Sequence, residues 1–210
     1  MNPMKWNRKK YLSFGLAAAL ILVLACGLKA DATGEIARLA ALMEWKPGTS
    51  VADIGAGDGS YSFAAADRVG PSGRVFATEI DAKKLKDLRA EIKKRSLQNV
   101  TAIESAEANT KLPTACCDAI FLRRVYHHLT KPAEFDASLI RSLKPGGRLA
   151  IIDFPPRPGL DPVEGVPANR GGHGIPLKIV VEELTAAGLQ VEKIVDDWPG
   201  ESYCVLFVKK

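Results

Sequence analysis

Between Tyr11 and Leu28 the chain is almost unbroken apolar sequence, YLSFGLAAALILVLACGL, behind ten residues that hold Lys5, Arg8, Lys9 and Lys10. Such a run is about the minimum for a bilayer span, roughly 17 to 25 residues, and also fits the apolar part of an export signal. The basic flank predicts an N-terminus in the cytoplasm and the remaining chain across the membrane. Ala30-Asp31-Ala32 has the small-x-small form of a cleavage site, Cys26 sits where a lipoprotein box would place it, and NRKKYLS resembles a twin-arginine signal with Lys9 in place of the second arginine. Residues 1–32 are therefore expected to be a signal peptide or membrane anchor, and 33–210 one folded domain. The domain is expected on the outer side of the membrane, and membrane attachment follows where the leader is uncleaved.

After Ala32 the apolar positions take a helical period, with Ile36, Leu39, Ala40 and Met43 on one face of GEIARLAALMEW, and Pro47-Gly48 ends it. Short apolar runs then alternate with amphipathic ones: SVADIG, SYSFAAADRVG, GRVFATEI, KKLKDLRAEIKKRSL, VTAIES, CDAIFL, AEFDASLIRSL and, after the turn Lys144-Pro145-Gly146-Gly147, RLAIIDF. Strand–helix alternation predicts a mostly parallel sheet with helices on both faces, and continuous apolar strands are what burial on both faces requires. A last helix over PLKIVVEELTAAGL precedes QVEKIVDDW and SYCVLFVKK, and the Pro199-Gly200-Glu201 connection between these runs is too short to cross a sheet. They should be antiparallel neighbours. The fold class is thus α/β, a Rossmann-like, seven-stranded, mostly parallel sheet with a terminal antiparallel hairpin. The one long irregular stretch, residues 155–174, has the length of a functional loop and is expected to be a substrate lid.

Charge changes this picture little. The 210 residues carry a formal net charge of +5, but five of the basic residues lie in the first thirty, where no acid occurs, and the rest balance at 24 against 24. A nucleic-acid footprint on the domain has no support. Cys116, Cys117 and Cys204 show no metal-type spacing and are expected to pack as small buried hydrophobes.

The strongest chemical signal is VADIGAGDGSYS, in which a strand carrying Asp53 runs into Gly55, Gly57 and Gly59 and then a helix. Glycines there let the backbone turn sharply against a ligand, and the helix start offers free amides. Glu79 ends the next strand, where a carboxylate can accept from both hydroxyls of a ribose. A dinucleotide fold shares these elements, but the third glycine follows the second by two residues instead of three. With FATEID, LPTACCDAIFLRRVYHHL and LKPGGRLAIIDF in the same order, residues 34–210 resemble the class I S-adenosylmethionine-dependent methyltransferases, within them the small-molecule group that includes the ubiquinone and menaquinone enzymes. The resemblance implies S-adenosylmethionine as cofactor. Asp53 and the Gly55-Ala56-Gly57 backbone, with Gly59, would hold its methionine end, Glu79 its ribose, and Ile80 its adenine. Where such enzymes carry an Asp before the LP element, this chain reads ESAEANTKLP, with Ser105 the nearest match and Glu107 a substitute. Arg123, at the end of the fourth strand, joins this set.

Methyl transfer from a sulfonium needs alignment, a dry site and, for many acceptors, removal of a proton, and requires no metal. Groups able to serve follow the fourth and fifth strands, outside whose carboxyl ends ligands bind. Tyr126, His127 and His173 are the expected catalytic residues, with His128, Asp153, Arg124, Arg157 and Arg170 nearby. The Asn/Asp-Pro-Pro-aromatic signature of amino methyltransferases is absent after the fourth strand, so the expected partner is a small-molecule or lipid-like acceptor methylated at oxygen, carbon or sulfur. Two other readings remain open: an exported cofactor-binding domain without turnover, and a nicotinamide-dependent reductase, which the glycine spacing disfavours.

Overall fold

The computed structural model describes residues 32–210, so the expected signal peptide or anchor and its export motif, with all of the expected cleavage site but Ala32, lie outside the described residues. The first described element, α1, covers residues 32–42. There follow β1 (Ser50–Ile54), α2 (Ser60–Val69), β2 (Arg74–Glu79), α3 (Ala82–Lys94), β3 (Val100–Glu104), β4 (Cys117–Arg123), α4 (Pro132–Ser142), β5 (Leu143–Asp153), α5 (Leu177–Ala186), β6 (Gln190–Trp198) and β7 (Ser202–Val208). One sheet holds all seven strands in the order β3-β2-β1-β4-β5-β7-β6. β1 to β5 pair in parallel. β7 lies antiparallel between β5 and β6.

Because side chains alternate along a strand, each buried strand feeds two cores. Val51, Ala119, Phe121 and Ile152 pack with Ile36 and Leu39 of α1, Phe63 and Val69 of α2 and Leu88 of α3. Ala52, Ile120, Leu122 and Ile151 pack with Phe135 and Leu139 of α4 and Val180 and Leu184 of α5 on the other face. β1 sits between β2 and β4, so the order of winding reverses there, and the crevice at the carboxyl ends of β1 and β4 is where such sheets bind ligands.

Two local expectations change. The Lys144–Gly147 segment, read as a free turn, is the start of β5. The Gly146 N–H donates to the Lys209 carbonyl at 2.8 Å and the Lys209 N–H to the Gly147 carbonyl at 2.9 Å, so Lys209 pairs with a turn that is built into β5 as an irregularity, where Gly146 keeps a left-handed φ of +74° and the register against β4 shifts. Cys116 and Cys117, expected as reduced core filler, are joined as a disulfide at the start of β4. Cys204 is buried and free, as expected.

Candidate active site

The turn after β1 is fastened from beneath by Glu79. Its Oε2 accepts from the Gly57 N–H at 3.0 Å, and its Oε1 from the Ile80 and Asp81 N–H groups at 2.8 and 2.9 Å. The carboxylate at the end of β2 thus shapes the glycine turn while sitting at its edge. Gly57 has φ +57°, and a Cβ placed on it would meet nothing within 4 Å, so the space over the turn is empty of protein. Asp53 lies deeper. Its carboxylate is buried and accepts from the Ser62 hydroxyl at 2.6 Å, tying β1 to the first turn of α2. Burial pushes this carboxyl up to about 7, against the Ser62 hydrogen bond, and the charges of Asp58 and Glu79 act in the same direction as burial.

Beside the turn opens a mostly apolar cavity of about 230 Å³, lined by Ile54, Gly55, Ile80, Ser105, Val125 and Leu129 among others. Ile80 is 58% exposed, unusual for a large apolar side chain at a strand end. These are features an adenosine cofactor fits: a bare apolar platform, a carboxylate next to it, and a glycine turn whose outer face is clear. Glu107 stands at the rim of this cavity, where its carboxylate accepts from Thr130 Oγ1 and pairs with Lys131 at 3.2 Å. The Thr130 hydrogen bond, followed by Lys131, holds it below its usual value. Arg123 does not face this cavity. It is clasped by Glu35 of α1 through two bonds of 2.8 and 3.0 Å, and its guanidinium lies 4.5 Å from the Tyr61 ring. Burial alone would raise Glu35, and the Arg123 guanidinium outweighs it, leaving the carboxyl lowered. Arg123, Tyr61, Thr33 and Asp58 line a second, larger cleft of about 640 Å³ on the α1 and α2 side of the turn.

Past β4 the chain makes a 3-10 turn, Tyr126–His128. Its first residue is not where the sequence expects it. Tyr126 is fully buried, and its hydroxyl donates to Asp136 Oδ2 at 2.9 Å. Burial first, and then the Asp136 charge, hold the phenol far above its ordinary value. A phenol that keeps its proton inside the core is a structural group, because a single residue of helical turn carried it to the inner side.

His127 is the opposite case. Its ring Nδ1 lies 2.8 Å from Asp153 Oδ1, and its own backbone N–H donates to Asp153 Oδ2 at 3.1 Å. The Phe154 N–H also donates to Oδ1, at 2.9 Å. A fully buried carboxylate so held accepts from Nδ1–H, which leaves the lone pair on Nε2. Among the described residues that nitrogen has no hydrogen-bond partner, and it is not sealed from solvent. All three histidines of the chain gather here, with His128 and His173 at ring distances of 4.0 and 5.6 Å from His127. Desolvation, followed by the His127 charge, holds His128 below its ordinary value.

His173 belongs to the long segment after β5, and it lies at the segment's base. The Arg157 N–H donates to the His173 carbonyl at 3.0 Å and the Ile175 N–H to the Phe154 carbonyl at 2.9 Å, so the two ends of the loop meet. Gly174 permits that approach: its φ is +93°, and a Cβ there would stand 2.7 Å from the Pro155 carbonyl. Arg170, expected near the catalytic groups, is 1% exposed. It donates from Nε and Nη2 to Glu183 at 2.9 Å each, and to the carbonyls of Leu129 at 2.8 Å and Tyr126 at 3.2 Å.

Residues 45–171 match the family model described as "Methyltransferase domain". The chain belongs to the class I S-adenosylmethionine-dependent methyltransferase family. This methyltransferase domain resembles the crystal structure of an S-adenosylmethionine-dependent methyltransferase from Aquifex aeolicus, with a TM-score of 0.70 and 27% identity over 83% of this chain and 89% of that one. It is 33% identical over 109 residues to the ubiquinone/menaquinone biosynthesis C-methyltransferase of Bordetella parapertussis, and 30% identical over 112 residues to the demethylmenaquinone methyltransferase of Listeria welshimeri. Those stretches cover 52% and 53% of this methyltransferase, and it spans 42% and 48% of the relatives' own lengths. S-adenosylmethionine is the cofactor of the family, and the turn, cavity and Ile80 platform are the parts of the domain that fit it.

Proposed function

We propose that the chain transfers the methyl group of S-adenosylmethionine to a small-molecule acceptor, with His127 removing the acceptor's proton. The observation that carries this is the 2.8 Å contact between His127 Nδ1 and the buried Asp153 carboxylate, which fixes the tautomer and leaves Nε2 as the proton acceptor. When bound, S-adenosylmethionine supplies an electrophilic methyl and a neutral thioether leaving group. Glu79 and the glycine turn hold the adenosine, and Ile80 supports the adenine. Nε2 would accept the proton of an acceptor hydroxyl, or of a carbon acidified by one, as that acceptor takes up the methyl group. The resulting imidazolium is stabilised by Asp153, and the loop over residues 155–174 acts as a lid that keeps water out. A quinol-like acceptor is supported by what the two relatives are named for.

The test is turnover of the full chain on a panel of quinols and phenols, read as release of S-adenosylhomocysteine. His127→Asn should lower kcat at least about a hundredfold while leaving cofactor affinity within twofold, in keeping with the usual contribution of a positioned base. Normal kcat in that variant overturns the assignment. Location belongs to the same proposal: the basic flank and apolar run of residues 1–32 support a domain on the outer side of the membrane.

A further inference from the structure

The two neighbouring arginines at the end of β4 have different surroundings. Arg123 is neutralised by Glu35. Arg124 has φ +56°, a left-handed conformation that residues other than glycine seldom adopt, and it turns toward the connection between β6 and β7. There its Nη2 donates to the Gly200 carbonyl at 3.2 Å. Among the described residues no carboxylate pairs with it, and its Nε is buried without a hydrogen-bond partner. Of the five N–H groups of a guanidinium, the Nε one is sealed inside and one on Nη2 is used by Gly200, so three on the terminal nitrogens have no acceptor among the described residues. An unsatisfied buried donor on a strained residue is a combination that proteins keep at sites of function.

The surroundings are positive as well. Around the Phe154 ring stand the Arg124 guanidinium at 5.8 Å, the Arg157 guanidinium at 4.5 Å, and the His127 and His173 rings at 4.9 and 6.0 Å. Of the nearby carboxylates, Asp153 is committed to His127, and Glu201 is almost fully exposed and reaches Arg157 only at 3.4 Å. The carboxyl ends of β4 and β5 therefore present one unneutralised cation and a second, loosely paired one, next to the imidazoles placed at the site of proton removal.

We propose that Arg124, with Arg157 beside it, binds a carboxylate on the acceptor, so that the substrate class is a hydroxylated organic acid. Arginine matches a carboxylate with paired hydrogen bonds, which gives both orientation and charge recognition. This rests on the reading of His127 as the site of proton removal. It is tested by titrating the full chain, saturated with S-adenosylhomocysteine, with 3,4-dihydroxybenzoate and with its neutral isostere 3,4-dihydroxybenzamide. The acid should bind at least about tenfold more tightly than the amide, Arg124→Gln should bring the ratio to about one, and Arg124→Lys should restore part of it. Equal affinities in the wild type, no binding of either probe, or an unchanged ratio in Arg124→Gln overturns the proposal. So does a loss of S-adenosylhomocysteine affinity in that variant, because the cation would then serve the cofactor. Turnover of the two probes separates the two readings: an acid preference in binding without methylation rejects the role of His127 and leaves Arg124 standing, whereas methylation without acid preference rejects Arg124 alone.

Discussion

At the scale of single residues, the carboxylates near the glycine turn carry the clearest expectations. Glu79 accepts three backbone N–H groups and also stands beside the cavity. Glu79→Ala should weaken S-adenosylmethionine binding by about 1.5 to 3 kcal/mol in calorimetry, through lost charge-assisted contacts and a loosened turn. Unchanged affinity would remove Glu79 from the site. Asp53 tests the electrostatics instead. Its folded carboxyl titrates near 7, above its ordinary 3.8, so the stability it contributes is complete below about 3.8 and is lost as pH rises through 7. Asp53→Asn should therefore reduce the fall in unfolding free energy between pH 5 and 8, measured by urea titration of the two proteins. A parallel fall in both would mean that Asp53 ionises in the folded protein as freely as in the unfolded one. Residue identities near this turn were legible because glycines and acids of fixed spacing imply a backbone shape. The Asp153–His127 pair was not, because its members are 26 residues apart and alternation along β5 left the direction of Asp153 open. Glu35 was invisible for the same reason, standing 88 residues from the arginine it clasps.

At the scale of elements, the sequence predicted nearly every helix and strand, since strands buried on both faces must be continuously apolar and the helices between them must show a 3.6-residue stripe. What it missed were segments whose conformation depends on distant partners. The Lys144–Gly147 turn is drawn into β5 as an irregularity because Lys209 pairs with it, and Tyr126 is buried because a 3-10 turn, with no pattern of its own, decides which ring points inward. The loop over residues 155–174 illustrates the energetic side. Arg170 anchors its far end to Glu183 and to two carbonyls of the segment that carries His127. Arg170→Ala should destabilise the chain by about 3 kcal/mol in chemical denaturation, because it strands Glu183 and two acceptors. It should also speed proteolysis within residues 155–169. Full resistance to protease in that variant would show that the loop is held by other contacts. Deleting residues 157–169 should abolish methyl transfer with little change in cofactor affinity, and equal loss of both would make the segment structural.

At the scale of the whole molecule, a reporter fused after Lys210 should be active only in a form that works outside the cytoplasm, and protease should reach the domain in spheroplasts. A protected domain would contradict the orientation drawn from Lys5, Arg8, Lys9 and Lys10. The sheet order bears on how such a chain comes into being. β7 is synthesised after β5 and β6, yet it occupies the position between them. Until β7 has been made and has left the ribosome, β5 shows an open edge, and β6, with Val191 and Ile194 outward, has no neighbour in the sheet. Open edges of this kind are templates for wrong pairing. The nascent chain thus passes through a form that a chaperone or a translocation machine can hold, and this side of the sheet closes when β7 enters the gap that β5 and β6 leave for it.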